Sequence, residues 1–162
     1  MDKKYGENFL LTTDTAKELF FGHAKELPII DYHCHVNPMH IAQDHHFEDI
    51  TEVLISSGSY GDHYKWRLMR AAGVEEKYIT GNASDKDKFI KWCEVCGRAI
   101  GNPLYHWSNL ELNRYFGITE PLSEKNALDI WYRTMDALKD DRITARKFIQ
   151  KSNVKLICTT TD

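Results

Sequence analysis

Two apolar, β-branched runs set more than a hundred residues apart constrain this chain more than any other feature. The first is Leu27-Pro28-Ile29-Ile30-Asp31-Tyr32-His33-Cys34-His35, and the second is Val154-Lys155-Leu156-Ile157-Cys158-Thr159-Thr160. Both read as buried strands. From Asn37 to about Asn153 the periodicity between them is almost wholly helical. Two strands make no sheet that stands alone. A long helical connection is what joins parallel strands in an α/β fold.

The fold class read from this layout is α/β, mostly helical as it stands. It predicts the N-terminal part of a TIM (β/α)8 barrel, with a large helical insertion after strand 1. Residues 1–36 and 151–162 would be barrel elements and residues 37–150 the insertion. A complete barrel takes about 250 residues, so a chain of 162 residues is too short to close one. The rest of the barrel would then lie outside this chain, which would be an inactive fragment with exposed strand edges that favour self-association.

Helix signals punctuate the block between the strands. A first helix is expected from about Thr13 to Ala24, with Ala16, Leu19, Phe20 and Ala24 facing inward. Asn37-Pro38 can start a second. Asp49 can cap a helix carrying Ile50, Val53 and Leu54, and a helix over Asp62–Ala72 should stop at Gly73. Ser84-x-x-Asp87 resembles a capping box ahead of a Phe89–Ile100 apolar stripe. Pro103 opens a helix ending near Gly117. Ser123 caps one carrying Ala127, Leu128, Trp131 and Leu138, and Thr144 starts a last one through Phe148.

The first strand ends in His33 and His35. Side chains at i and i+2 share a face of a strand, about 6–7 Å apart at Cα, so two imidazoles could meet on one metal ion. Asp31 shares their face; Tyr32 and Cys34 point the other way. With eight histidines in the chain, a His-x-His is expected about 0.4 times by chance. The pair alone is therefore not specific, and its place at a strand end adds the weight.

Composition excludes some classes of function. The net charge is −3, from 21 Lys+Arg against 24 Asp+Glu, which argues against nucleic acid or an anionic membrane as the main partner. No apolar run is long enough to span a bilayer, and Met1-Asp2-Lys3-Lys4-Tyr5 lacks the apolar core of a signal peptide. A cytoplasmic protein with reduced cysteines is the expectation. Cys93-x-x-Cys96 sits on a helical apolar stripe with no second such pair, so core thiols are favoured over zinc ligands. His45-His46 reads as a solvated loop pair, His106 as packing beside Tyr105 and Trp107, and Lys86, Lys88 and Lys91 as a solvated face.

Four segments line up in order: Asp31-Tyr32-His33-Cys34-His35, Gly61-Asp62-His63-Tyr64-Lys65-Trp66-Arg67-Leu68-Met69-Arg70, Gly101-Asn102-Pro103-Leu104-Tyr105-His106-Trp107 and Cys158-Thr159-Thr160-Thr161-Asp162. Together they resemble the N-terminal region of the uronate (glucuronate) isomerases of the amidohydrolase superfamily. The last segment departs from the family's Thr-Thr-Asp-Asp-Pro. The resemblance implies a (β/α)8 barrel and interconversion of an aldouronate with a ketouronate through an enediol. D-glucuronate and D-fructuronate would be one such pair, D-galacturonate and D-tagaturonate another. It implies a divalent metal as cofactor, zinc being the first expectation, with His33 and His35 among its ligands. It places His63 and Tyr64 near the sugar, Tyr64 as a candidate for moving the C2 proton. It implies a sugar acid as substrate, a homo-oligomer as a possible assembly, and further catalytic groups beyond this chain.

The residue types suit that chemistry. An aldose–ketose isomerase needs one group to take a proton from carbon and another to polarise oxygen. A tyrosine phenol titrates near 10 and is a poor base without a neighbouring cation; Lys65, Arg67 and Arg70 are near in sequence. Two other readings stay open: a metal-dependent hydrolase, which a strand-end His-x-His also serves, and a helical binding module without catalysis. Read without the resemblance, the Asp62–Arg70 helix is a surface helix packed through Trp66 and Met69.

Overall fold

Side-chain caps set where most of the helices begin. In the computed structural model, which describes residues 5–57, 60–139 and 143–160, the Thr13 hydroxyl accepts from the Ala16 N–H and opens α1 (Asp14–Leu19). A π-type turn, Phe20–Ala24, follows, then β1 (Ile29–Cys34). Asn37 caps α2 (Pro38–Gln43) with Pro38 in the first turn, and Asp49 caps α3 (Ile50–Leu54). A short antiparallel ladder, β2 (Ser56–Ser57) with β3 (Tyr60–Gly61), leads to α4 (His63–Ala71). Ser84 caps α5 (Asp85–Arg98), and Asn102 with Pro103 opens α6 (Pro103–Phe116), which stops at Gly117 with φ 68°. A 3-10 turn at Glu124–Asn126 runs into α7 (Ala127–Leu138). Thr144 caps α8 (Ala145–Lys151), and β4 (Val154–Thr159) is the last strand among the described residues. Met1–Lys4 of the N-terminal reading and Thr161-Asp162 of the last motif lie outside those residues.

The chain divides into two compact units, Met1–His46 with Asp141–Asp162, and Phe47–Asp140. In the first, β1 and β4 pair in parallel, as the long helical connection predicts. Ile29 pairs with Val154, Asp31 with Ile157 and Cys34 with Thr159, with two irregularities in register. α8 packs on β4. The expectation of a buried strand fails: Ile29, Ile30, Tyr32 and Leu156 are all exposed. A two-stranded sheet cannot shield its own faces. The inward face expected of the first helix meets the same fate. α1 and the turn after it contain no buried residue, and Leu19 and Phe20 are open to solvent.

The second unit has a closed core built on α5. Its Phe89, Trp92, Cys93 and Cys96 have no measurable exposure, and it packs against α3, α4, α6 and α7. Ile50, Met69, Leu112 and Ile130 complete that core from the neighbouring helices. The Phe89 and Trp131 rings lie 5.8 Å apart. Burying such side chains contributes about 2–3 kcal/mol each. The buried Asn109 amide is tied in on both sides. Asn109 donates from Nδ2 to the Tyr105 carbonyl at 2.6 Å, and its Oδ1 accepts from the Leu122 N–H at 2.8 Å.

Four details of the helical block differ from the expectation. Ile100 lies beyond the end of α5 and is 76% exposed, because the helix stops at Arg98 ahead of Gly101. Leu128 is exposed, one position off the buried Ala127–Trp131 stripe of α7. Lys86 is less free than a solvated lysine: its Nζ donates to Tyr132 Oη at 2.9 Å. The Ser84 hydroxyl accepts from the Asp87 N–H and donates to the Asp87 carboxylate, so the side-chain reciprocity of the expected box is hydroxyl to carboxylate.

The end of α4 is tied down by ions. Arg70 clasps Glu76 through Nε–Oε2 at 2.8 Å and Nη2–Oε1 at 2.5 Å, and Thr80 donates to the same carboxylate. Arg70 first, then Thr80, holds the Glu76 carboxyl down at about 2 against an ordinary 4.5. A carboxyl lowered by folding stabilises the fold above its unfolded pKa. That contribution is lost as pH falls from about 4.5 to about 2. Thermal melts at stepped pH should therefore show wild type losing its advantage over Glu76→Gln across that window. A constant difference across it would remove the ion pair from the acid response.

Candidate functional site

Strand pairing in the first unit delivers the histidines. β1 ends at Cys34, so His33 is on the strand and His35 one residue past it. The two rings lie 5.2 Å apart, centroid to centroid, edge to face, and both residues are exposed. The Asp31 carboxylate accepts from the His33 N–H at 3.3 Å. Nδ1 of His35 is 2.9 Å from the hydroxyl of Thr160, the residue after β4. That contact leaves Nε2 of His35 uncommitted. Two imidazoles this close, one braced through its inner nitrogen, suit a pair of ligands within a larger metal shell.

In the second unit the start of α4 is built around Asp62. Its Oδ1 accepts from the N–H groups of Tyr64 at 2.9 Å and Lys65 at 3.0 Å. Lys65 is only 4% exposed. Its Nζ donates to the Leu54 carbonyl at the end of α3 at 2.6 Å. The same ammonium lies 3.4 Å from Asp62 Oδ2 and 3.7 Å from Glu111 Oε2 on α6, and 5.9 Å from the Trp92 ring centroid. Glu111 is about 40% exposed as a side chain, yet Oε2 itself is sealed from solvent. Burial pushes its carboxyl up, and Lys65 pulls it part of the way back. Gly61 fits because a Cβ there would lie 1.9 Å from the Trp66 indole.

This anchoring presents the candidate catalytic pair. With Lys65 and Trp66 buried, Tyr64 points outward and is 67% exposed. The Arg67 guanidinium carbon lies 5.8 Å from its ring centroid, which selects Arg67 among the three cations near in sequence. The His63 ring meets Trp66 edge-on at 5.1 Å. A groove of about 550 Å³ opens beside Tyr64. α4 contributes Tyr64, Arg67, Leu68 and Ala71; the start of α6 contributes Asn102, Pro103, Leu104 and Trp107. Its walls are mostly apolar, with one cation and one phenol.

The other candidates sort out plainly. Cys93 and Cys96 are buried free thiols. Burial pushes Cys93 well above its ordinary value and Cys96 up to about 12, which disfavours the thiolate that zinc needs. His106 packs edge-on against Tyr105 at 5.4 Å. The solvated-pair reading of His45-His46 needs correction: His45 is half-buried and stacks on His40 at 4.2 Å, and His46 bridges to Thr144 through its backbone. Lys65 is the residue that sequence reasoning missed. Its position three residues after a cap, on the same side as Trp66 and Met69, was the available signal.

Two outcomes follow from these contacts. Lys65→Met removes a donor from Leu54 and a cation from Glu111. Screening at the exposed half of Glu111 limits the cost to about 2 kcal/mol, read as a lower urea midpoint. Adding Glu111→Gln should recover part of that loss, whereas strict additivity would mean the two are not coupled. In native buffer at ~pH 8, iodoacetamide should label exposed Cys158 and spare Cys93 and Cys96. Modification of the buried pair before unfolding would contradict the core reading.

Comparison with known proteins supplies the context. The family model described as glucuronate isomerase matches residues 1–162. A uronate isomerase of Bacillus subtilis is 52% identical over 162 residues, which is 100% of this chain and 33% of that protein. One of Clostridium acetobutylicum is 55% identical over 156 residues, 96% of this chain and 32% of that protein. The crystal structure of uronate isomerase from Thermotoga maritima superposes with a TM-score of 0.87 at 40% identity, covering 97% of this chain and 33% of the other. The chain spans about a third of the length of the curated relatives it matches.

Proposed function

The chain belongs to the glucuronate isomerase family, and on that premise we propose that it supplies part of the active site of an aldose–ketose isomerase acting on uronates. D-glucuronate and D-fructuronate are the first substrate pair, with D-galacturonate and D-tagaturonate the second. The observation that carries this reading is the match of all 162 residues to one family. The relatives are three times as long, so the remaining groups belong to sequence that this chain does not span. In this reading β1 and β4 are strands of a (β/α)8 barrel, and the helical second unit is an insertion after the first of them.

Roles follow from chemistry and placement. Isomerisation moves a proton between C2 and C1 of the sugar. Tyr64, exposed at the start of an anchored helix, is the group proposed to move the C2 proton. His63 holds the neighbouring hydroxyls, and Arg67 offers the groove its positive charge for the substrate carboxylate. His33 and His35 are proposed as ligands of a divalent metal, zinc by the imidazole donors. Bound there, such an ion supplies Lewis-acid polarisation of a substrate oxygen. No helix among the described residues is long and apolar enough to cross a membrane, and a cytoplasmic location is proposed with the function. Self-association through the uncovered strands is proposed as well.

A chimera tests the reading. This sequence replaces the matching third of the Bacillus subtilis relative, and conversion of D-glucuronate to D-fructuronate is followed. Activity is expected in the chimera and not in the 162-residue chain alone. Within the chimera, Tyr64→Phe should lower kcat by about 10²-fold or more with metal content intact, and His33→Ala should lower metal occupancy. A folded but inactive chimera, or full turnover after Tyr64→Phe, would overturn the assignment.

A further inference from the structure

The parallel pairing of β1 and β4 brings the residue after each strand into contact. Cys34 is in register with Thr159, which leaves His35 and Thr160 side by side although their positions differ by 125. The Thr160 hydroxyl has two neighbours, the Cys34 carbonyl at 3.4 Å and His35 Nδ1 at 2.9 Å. The Thr160 N–H donates to the same Cys34 carbonyl at 2.9 Å, which fixes the backbone on which the hydroxyl turns.

A hydroxyl has one proton to give and lone pairs to accept with. The carbonyl can only accept, so both contacts of the hydroxyl are hydrogen bonds at once only when its proton is directed at Cys34. The oxygen then faces Nδ1 as an acceptor, and Nδ1 must carry the imidazole proton. The lone pair of the neutral ring is left on Nε2. We propose that Thr160 is a positioning residue that holds His35 in the Nδ1–H tautomer and so presents Nε2 for metal binding. This rests on the proposed metal role of His33 and His35. The resemblance assigns Thr160 no role; the one argued here comes from the two contacts of its hydroxyl. A ligand imidazole is ordinarily fixed through the hydrogen bond on its other nitrogen. Here a hydroxyl on the adjacent strand makes that bond, and its own proton is anchored on the strand that carries the histidine.

The test needs no turnover. Long-range proton–nitrogen correlation NMR on the metal-free full chain at ~pH 8, where an ordinary histidine is neutral, reads the tautomer of His35 directly. The expected result is a protonated Nδ1 and an unprotonated Nε2 in wild type. Thr160→Val should move the ring to a mixture of tautomers, and Thr160→Ser should keep the wild-type form. Zn²⁺ titration followed at the His33 and His35 ring signals should show about tenfold weaker binding for Thr160→Val and near wild-type binding for Thr160→Ser. A wild-type ring protonated on Nε2 would overturn the inference with no variant needed. So would a Thr160→Val chain with an unchanged tautomer and unchanged Zn²⁺ affinity. The two readings fail separately. Protonated Nδ1 with no Zn²⁺ effect on either ring would sink the metal role of the pair while upholding the Thr160 contact. Zn²⁺ bound to a ring protonated on Nδ1 only in the presence of metal would sink the Thr160 role and leave the metal site standing.

Discussion

The buried ammonium of Lys65 is the interaction on which the helical unit turns. One charge answers the carbonyl end of α3, the capping carboxylate of α4 and a carboxylate of α6, and lies near an indole of α5. A buried cation is costly unless every bond is made, so these helices have one arrangement that satisfies it and few others. Apolar packing around Phe89 and Trp92 supplies most of the stabilisation. The lysine makes the packing specific. Tyr64 depends on it indirectly, since its outward direction follows from Lys65 and Trp66 pointing in.

The histidine strand is a different kind of construction. Among the described residues no core surrounds it, and its Ile29, Ile30 and Tyr32 are exposed. Order at His33 and His35 comes from backbone pairing with β4 and from short polar contacts to Asp31 and Thr160. Imidazoles held this way can keep their mutual spacing while the faces of the sheet stay open for other strands and helices.

Much of this was legible in the residues, for local reasons. Thr13, Asn37, Asp49, Asp62, Ser84, Asn102 and Thr144 each sit before a helix because a short polar side chain satisfies first-turn N–H groups. The two β-branched runs announced the strands, and the long connection announced that they pair in parallel. The motif segments single out His33, His35, His63 and Tyr64 as candidates. What escaped depends on partners distant in sequence. Periodicity marks Leu19 and Phe20 as apolar but cannot say whether a surface exists to cover them. A lysine reads as solvated until Leu54 and Glu111 are seen beside it, and a two-residue ladder such as β2–β3 carries too little pattern to register.

The separation of β1 and β4 along the chain also has a kinetic side. Thr160 meets Cys34 across 126 positions, whereas the helices between them are joined over shorter spans, such as 34 positions from Thr51 to Asp85 and 46 from Lys86 to Tyr132. Local contacts form in microseconds to milliseconds, and non-local pairing must first meet the entropy of closing a long loop. The helical unit is therefore placed to fold early, with the β1–β4 ladder zipping late. The histidine pair takes shape only in that last step, so a chain caught part-way would already hold its buried core and the Tyr64 helix but not the paired imidazoles proposed as ligands.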